Sequence, residues 1–187
     1  MSQVDLNNWG TPNMLTGVRI AAVPVVMALL FFPGPWTSFL GALCFMLAGA
    51  TDFLDGFLAR RRRLVSRLGK LLDPLADKLL VSAALIMLIP LGRVPAWMAV
   101  RIIGRELAVT GLRGLAASEG VILAPDRWGK VKTLLQMASL TALILHYPYV
   151  GVDFHELGIA LLWLALVATL VSGISYFWGF FREYQED

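Results

Sequence analysis

A chain of 187 residues is short for two globular domains, and a single domain over residues 1–187 is expected. It is 58% hydrophobic and 16% charged with a mean hydropathy of +0.71, whereas soluble domains run near about 45–50% and 25%, so too few charges remain to cover a water-facing surface. A soluble globular protein is excluded, and the net charge of +3 matters less than its distribution: Arg60, Arg61, Arg62, Arg63, Arg67 and Lys70 crowd into eleven residues.

Ile20–Thr51, Leu79–Gly92, Thr133–Val152 and Leu157–Phe181 carry no Asp, Glu, Lys or Arg. A bilayer core asks for about 20 apolar residues per helix, so the expected class is an all-α integral membrane protein. Met1–Thr16 is polar, carries Asp5 and no Lys or Arg, and does not read as a cleavable signal peptide. Val4, Leu6, Trp9, Met14 and Leu15, set among polar residues, suit a short N-terminal interfacial helix or a simple anchor.

Six transmembrane helices follow in order. Pro33-Gly34-Pro35 breaks the first long apolar stretch into helices over about 17–32 and 36–60. After the basic loop a third runs to about Leu91, where Pro90 and Gly92 mark its end, and a fourth spans about 95–117 despite Arg101, Arg105, Glu106 and Arg113. A polar connection, Ser118–Trp128, leads to a fifth over about 129–147. The sixth takes Phe154–Phe181 before the charged tail Arg182–Asp187. Nearly all loop Lys and Arg then fall on the side of the two termini, the opposite loops holding only Arg93. The positive-inside rule therefore predicts a multi-pass cytoplasmic (inner) membrane protein with termini and active site facing the cytoplasm. The lone Cys44 has no partner for an internal disulfide.

Asp52 and Asp55 lie in the last turns of helix two, Asp73 and Asp77 in the first turns of helix three. Spacings of three and four put each pair on one helix face, and four carboxylates converge at one membrane edge. Their mutual repulsion calls for cations, either the neighbouring Arg60–Arg63, Arg67 and Lys78 in interfacial ion pairs or a divalent metal. Tight carboxylate pairs suit metal better than pairing with arginine. All-oxygen ligation favours Mg²⁺ or Mn²⁺, and two ions about 4 Å apart suit a displacement at phosphorus. Gly56, Ala59 and Gly69 accompany the acids, serving close helix packing, room for a ligand, or both. Carboxylates can also line an ion pathway, but these gather at one interface and do not recur across the bilayer, which argues against a divalent-cation transporter.

The run Asp52-x2-Asp55-Gly56-x2-Ala59-Arg60-x8-Gly69-x3-Asp73-x3-Asp77 resembles, without departure, the signature of the CDP-alcohol phosphotransferase family. Pro12-Asn13-Met14-Leu15-Thr16-x2-Arg19, Asp73-Pro74-x-Ala76-Asp77-Lys78, Gly104-Arg105-Glu106 and Trp128-Gly129-Lys130-Val131-Lys132-Thr133 point, within that resemblance, to glycerol 3-phosphate as acceptor. The resemblance implies transfer of a phosphatidyl group from CDP-diacylglycerol to sn-glycerol 3-phosphate, giving phosphatidylglycerol phosphate and CMP. A phosphorylated acceptor such as inositol phosphate ranks next, with serine and phosphatidylglycerol below it; a catalytically silent lipid-binding scaffold is a further alternative.

The same resemblance implies that Asp52, Asp55 and Asp73 ligate metal, with Asp77 helping to hold a second ion and acting as general base. It places Asn13, Thr16, Gly56, Ala59, Arg60 and Gly69 around the CDP-diacylglycerol donor. Arg105 and Arg113 within helix four, with Lys130 and Lys132 at the start of helix five, are candidates for the acceptor's phosphate; intramembrane arginines suggest function. Arg101 either extends that pocket, pairs with Glu106 or snorkels to the far interface, and Lys78 balances carboxylate charge. Membrane lipids and a second copy of the chain, as a homodimer, are the expected partners, and no nucleic acid is. His146 and His155 flank the far loop without a metal partner at useful spacing.

Overall fold

A computed structural model describes residues 11–62, 67–118, 127–149 and 151–186, with side chains over 17–51, 75–118, 129–149 and 151–179. Within them the chain forms six α-helices: α1 (Thr11–Phe31), α2 (Pro35–Arg62), α3 (Arg67–Leu88), α4 (Ala96–Ser118), α5 (Arg127–Leu145) and α6 (Phe154–Glu186). The described residues hold no sheet, only a backbone pairing of Tyr149 with Val152 in the loop before α6. The all-helical expectation is met, with six helices in the expected order.

Boundaries shift where caps decide them. Met14 and Leu15 already belong to α1, so the amphipathic stretch enters that helix directly; Val4, Leu6 and Trp9 lie outside the described residues. Between α1 and α2 the Thr37 hydroxyl donates to the Phe32 carbonyl (2.6 Å), fixing the turn made by Pro33-Gly34-Pro35. α3 closes on a Schellman cap: Gly92, at φ +69°, donates to Ile89 (2.9 Å) and Arg93 donates to Leu88 (3.0 Å). α5 stops two residues short of the expected 147, because His146 turns into the left-handed region at φ +59°. Asp153 caps α6, its Oδ1 accepting from the amides of His155 (2.9 Å) and Glu156 (3.2 Å).

The chain divides into two compact units, residues 1–87 and 88–187. In the first, α1 packs against α2. Arg19, Ala22, Val26 and Leu30 make a buried stripe on α1, and Ser38, Ala42, Phe45 and Ala48 one on α2, at the three-to-four-residue spacing of helix faces. The outward residues are apolar too: Phe31, Phe32 and Trp36 are each at least 70% exposed. Apolar side chains both inside and outside suit a lipid surround.

In the second unit α5 and α4 both pack on α6. Gly158 permits the close approach of α5, since a Cβ there would lie 2.6 Å from Leu143 Cγ and 3.0 Å from the Leu143 amide nitrogen. The buried Ser139 hydroxyl donates to the Gly158 carbonyl (2.8 Å), and Gln136 Nε2 donates to Thr169 Oγ1 (3.2 Å). The buried Arg93 donates from Nη1 to the Ile144 carbonyl (2.8 Å), supplying a cation where the last carbonyls of α5 have no helical partner. The Phe154–Gly179 stretch of α6 is long and apolar enough to cross a membrane.

The His146 and His155 rings stand edge to face at 5.0 Å, and each Nδ1 is buried with no hydrogen-bond partner among the described residues. Burial, followed by the charges of Arg93 and His155, holds His146 below its ordinary 6.5, against a smaller opposing pull from Asp153. The fold thus favours neutral His146. Its contribution is complete above 6.5 and is lost as pH falls from there through the depressed folded value. The melting temperature in detergent should decline on acidification below 6.5, and His146→Asn, which tolerates the left-handed backbone, should flatten that decline.

Gly158→Ala forces Leu143 to shift and should cost about 1–3 kcal/mol, read as a lower melting temperature. An unchanged value would show the α5–α6 contact to be slack.

Candidate active site

In the first unit, Asp52 and Asp55 lie on the C-terminal part of α2 and Asp73 and Asp77 on the N-terminal half of α3. Asp55 is seven residues before the end of α2 and Asp73 six after the start of α3. At 1.5 Å per residue each lies roughly 9–11 Å along its helix from the connection between them. Offsets of three and four residues leave the two positions of each pair within about 60° on their helix, that is, on one helix face. Because α1 and α2 form an antiparallel pair, the start of α1, with Asn13 and Thr16, shares an end with Gly56, Ala59 and Arg60 of α2. Gly69 sits in the first turn of α3. Asp77 is half-buried; the side chains of the other residues in this group lie outside the described ones. Among described side chains no three of His, Cys, Asp and Glu group as a metal site.

The second unit carries a dense cation cluster. Arg105 and Glu106 are neighbours on α4, and Lys132 comes from α5. Arg105 Nη1 donates to Glu106 Oε1 (3.3 Å), and the buried Lys132 ammonium donates to the same oxygen. Arg105 Nη2 donates to the Ser172 hydroxyl on α6 (2.7 Å). Two turns along α4, Arg113 donates from Nη2 to the Tyr176 hydroxyl, and its guanidinium carbon lies 4.5 Å from the centre of the same ring. The Arg105 guanidinium is 5.9 Å from that ring.

Gly173 leaves the room this needs: a Cβ there would stand 3.3 Å from Arg105 Cγ and 3.4 Å from Nε. The Arg105 side chain is only 9% exposed, yet its Nε donor meets no acceptor among the described residues. An orphaned buried donor costs about 1–3 kcal/mol unless a ligand or water completes it, so the cluster is chemically incomplete without an anion or solvent.

Of the four cations expected at an acceptor phosphate, Arg105, Arg113 and Lys132 are drawn into one network, with Lys132 engaged by Glu106. Lys130 is exposed on α5. Arg101 is exposed as well, its guanidinium stacking over Trp97 at 5.0 Å. Lys78 is half-buried on α3. The α6 partners Ser172, Gly173 and Tyr176 were not singled out by the sequence. Their only signal there is a polar stripe at three- and four-residue spacing within an apolar helix.

An all-helical chain with apolar outer faces, paired carboxylates on consecutive helices and buried guanidinium groups defines a membrane protein class with a charged interior. The chain belongs to the CDP-alcohol phosphatidyltransferase family of enzymes, whose model matches residues 9–171. It is 44% identical over 179 residues to the CDP-diacylglycerol–glycerol-3-phosphate 3-phosphatidyltransferase of Bacillus subtilis, covering 89% of this chain and 92% of that one. The enzyme of the same name from Rickettsia bellii is 42% identical over 167 residues, covering 89% and 92%. A cardiolipin synthase (CMP-forming) of Oryza sativa is 39% identical over 147 residues, covering 71% of this chain and 45% of its own.

Lys132→Met strands Glu106 beside Arg105 alone and should destabilise the protein by about 3 kcal/mol, as breaking one side of a buried pair does, whereas Lys130→Met should stay within about 0.5 kcal/mol. Adding Glu106→Gln to Lys132→Met should recover part of the loss in unfolding measurements, which separates a coupled pair from two independent packing defects.

Proposed function

We propose that this protein transfers the phosphatidyl group of CDP-diacylglycerol to sn-glycerol 3-phosphate, giving phosphatidylglycerol phosphate and CMP. The observation that carries the reading is the paired-aspartate signature on α2 and α3, in a chain 44% identical over 89% of its length to a protein named for that activity. The family match runs through both compact units, which supports treating residues 1–187 as one functional domain. Six membrane crossings, cytoplasmic termini and a homodimeric assembly complete the proposal.

The carboxylates of Asp52, Asp55, Asp73 and Asp77 are an all-oxygen donor set with two members per helix face, which fits a hard divalent cation, Mg²⁺ or Mn²⁺, at two positions. When bound, such ions would draw charge from the pyrophosphate oxygens and stabilise CMP as leaving group. Asn13, Thr16, Gly56, Ala59, Arg60 and Gly69 hold the cytidine and pyrophosphate, Arg60 offering a fork of donors to phosphate and the small residues admitting the nucleotide against the backbone. Arg105 and Arg113 hold the acceptor's phosphate, and Lys130 and Lys132 reinforce the positive field. A hydroxyl of glycerol 3-phosphate attacks the phosphatidyl phosphorus, the bond from that phosphorus to the CMP oxygen breaks, and the hydroxyl proton passes to the Asp77 carboxylate.

Release of CMP from CDP-diacylglycerol by the purified protein in detergent tests this. Glycerol 3-phosphate should drive release, Asp77→Asn should lower the rate by about 100-fold or more, and chelation of divalent cations should abolish it until Mg²⁺ or Mn²⁺ is restored. Release driven instead by phosphatidylglycerol, serine or inositol phosphate would overturn the acceptor assignment while leaving the donor chemistry in place.

A further inference from the structure

We infer that Ser172, Gly173 and Tyr176 of α6 are positioning residues that hold Arg105 and Arg113 in the geometry in which they receive the acceptor's phosphate. The inference rests on the proposed reading of those two arginines. It adds a cradle built by a helix face to which no role in binding is assigned; the family match itself ends at residue 171.

Three different devices converge on two side chains. The Ser172 hydroxyl fixes one terminal nitrogen of Arg105 at 2.7 Å while Glu106 takes the other at 3.3 Å. Gly173 presents bare backbone, and any Cβ there would press on the Arg105 stem at 3.3 Å. Tyr176 serves both arginines: its ring lies 4.5 Å from the Arg113 guanidinium carbon and 5.9 Å from that of Arg105, and its hydroxyl accepts from Arg113. Two like charges sharing one aromatic ring are held near each other despite their repulsion, which is the arrangement a doubly charged phosphate needs. An arginine side chain carries about 2 kcal/mol of rotamer entropy, so ordering two of them before binding removes a cost that the ligand would otherwise meet. The Arg105 Nε, buried and without an acceptor among the described residues, is the donor such a pre-set side chain keeps in reserve.

Because the cradle acts through the arginines, its loss should appear in acceptor binding and not in turnover or donor binding. Steady-state CMP release is measured with the full-length protein in detergent, varying glycerol 3-phosphate and CDP-diacylglycerol separately. Tyr176→Phe, which keeps the ring, and Ser172→Ala should each raise KM for glycerol 3-phosphate about 3–10-fold, the scale of one hydrogen bond. Tyr176→Leu, which removes the ring as well, should raise it about 30-fold or more. Gly173→Ala should behave like Ser172→Ala, and Ser172→Thr, which keeps a hydroxyl, should restore most of the affinity. In all of them kcat and KM for CDP-diacylglycerol should stay within about twofold of the parent.

Arg105→Met and Arg113→Met are the reference arms. If they leave KM for glycerol 3-phosphate unchanged, the acceptor-site reading falls and the cradle with it. If they raise it while Tyr176→Phe and Ser172→Ala do not, the positioning inference alone is overturned. Equal rises in both KM values, or losses that follow the melting temperature, would also overturn it by showing a structural role. For variants too slow to assay, calorimetric titration of glycerol 3-phosphate into the same protein supplies the comparison.

Discussion

A charge inside an array of apolar helices persists only when neighbouring groups complete it, and that constraint organises the described parts of this protein. Charged groups that water would ordinarily solvate are largely met by the chain instead, the Arg105 Nε being an exception among the described residues. Arg93 takes the open carbonyls at the end of α5, Lys132 and Arg105 share one carboxylate oxygen of Glu106, and Arg113 rests on Tyr176. Apart from that of the neighbours Arg105 and Glu106, each pairing joins segments far apart in sequence, as with Lys132 and Glu106, 26 residues apart. Desolvating such groups is costly, so pairing them specifies which helix faces meet more than it adds net stability.

α6 is the element on which the second unit depends. Its outward residues, among them Trp163, Leu164, Val167, Ile174 and Trp178, are exposed and apolar, while its inward face interleaves Leu162, Ala165 and Leu166 with Thr169, Ser172 and Tyr176. The upper part of that face admits α5 through Gly158, and the lower part receives two arginines from α4 beside Gly173. A single helix therefore combines the apolar surface a membrane requires with polar groups that a fully apolar helix would lack. Small residues do parallel work at both ends: at Gly158 they bring backbones close, and at Gly173 they make room for a long cation.

Helix number and order were legible because charge-free stretches and the Pro-Gly-Pro break are large signals. The paired aspartates were legible because spacings of three and four turn directly into helix faces. What the sequence left open depends on groups distant in the chain. α5 ends at Leu145 because His146 adopts a left-handed backbone and Arg93 reaches the last carbonyls, neither of which local pattern records. Ser172 and Tyr176 resemble packing residues in any apolar helix until α4 is laid against them. Of the three sequence-level readings of Arg101, its exposure and its stacking on Trp97, one turn nearer the start of α4, agree with a side chain reaching toward the far end and not with a pairing to Glu106. Glu106 serves Arg105 beside it and also Lys132 on another helix, a partner that local pattern does not record.

The presence of Glu106 within the cluster proposed to take an anion has a physical rationale. Arg105 and Lys132 without a counter-charge would place two cations in a poorly solvated interior beside the more exposed Arg113, and their repulsion would oppose folding. Glu106, shared by Arg105 and Lys132, offsets part of that charge. A phosphate monoester carries roughly −1.5 to −2 at neutral pH, so on the proposed reading the acceptor itself supplies the remaining neutralisation. The bridging carboxylate is thus compatible with anion binding: it holds Lys132 and Arg105 in place when no substrate is present. On the proposed reading it leaves Arg113 and the buried Nε of Arg105 to answer the phosphate. On that reading a free alcohol lacking the phosphate would bring no charge to the arginines, and the cluster would discriminate by charge as well as by shape.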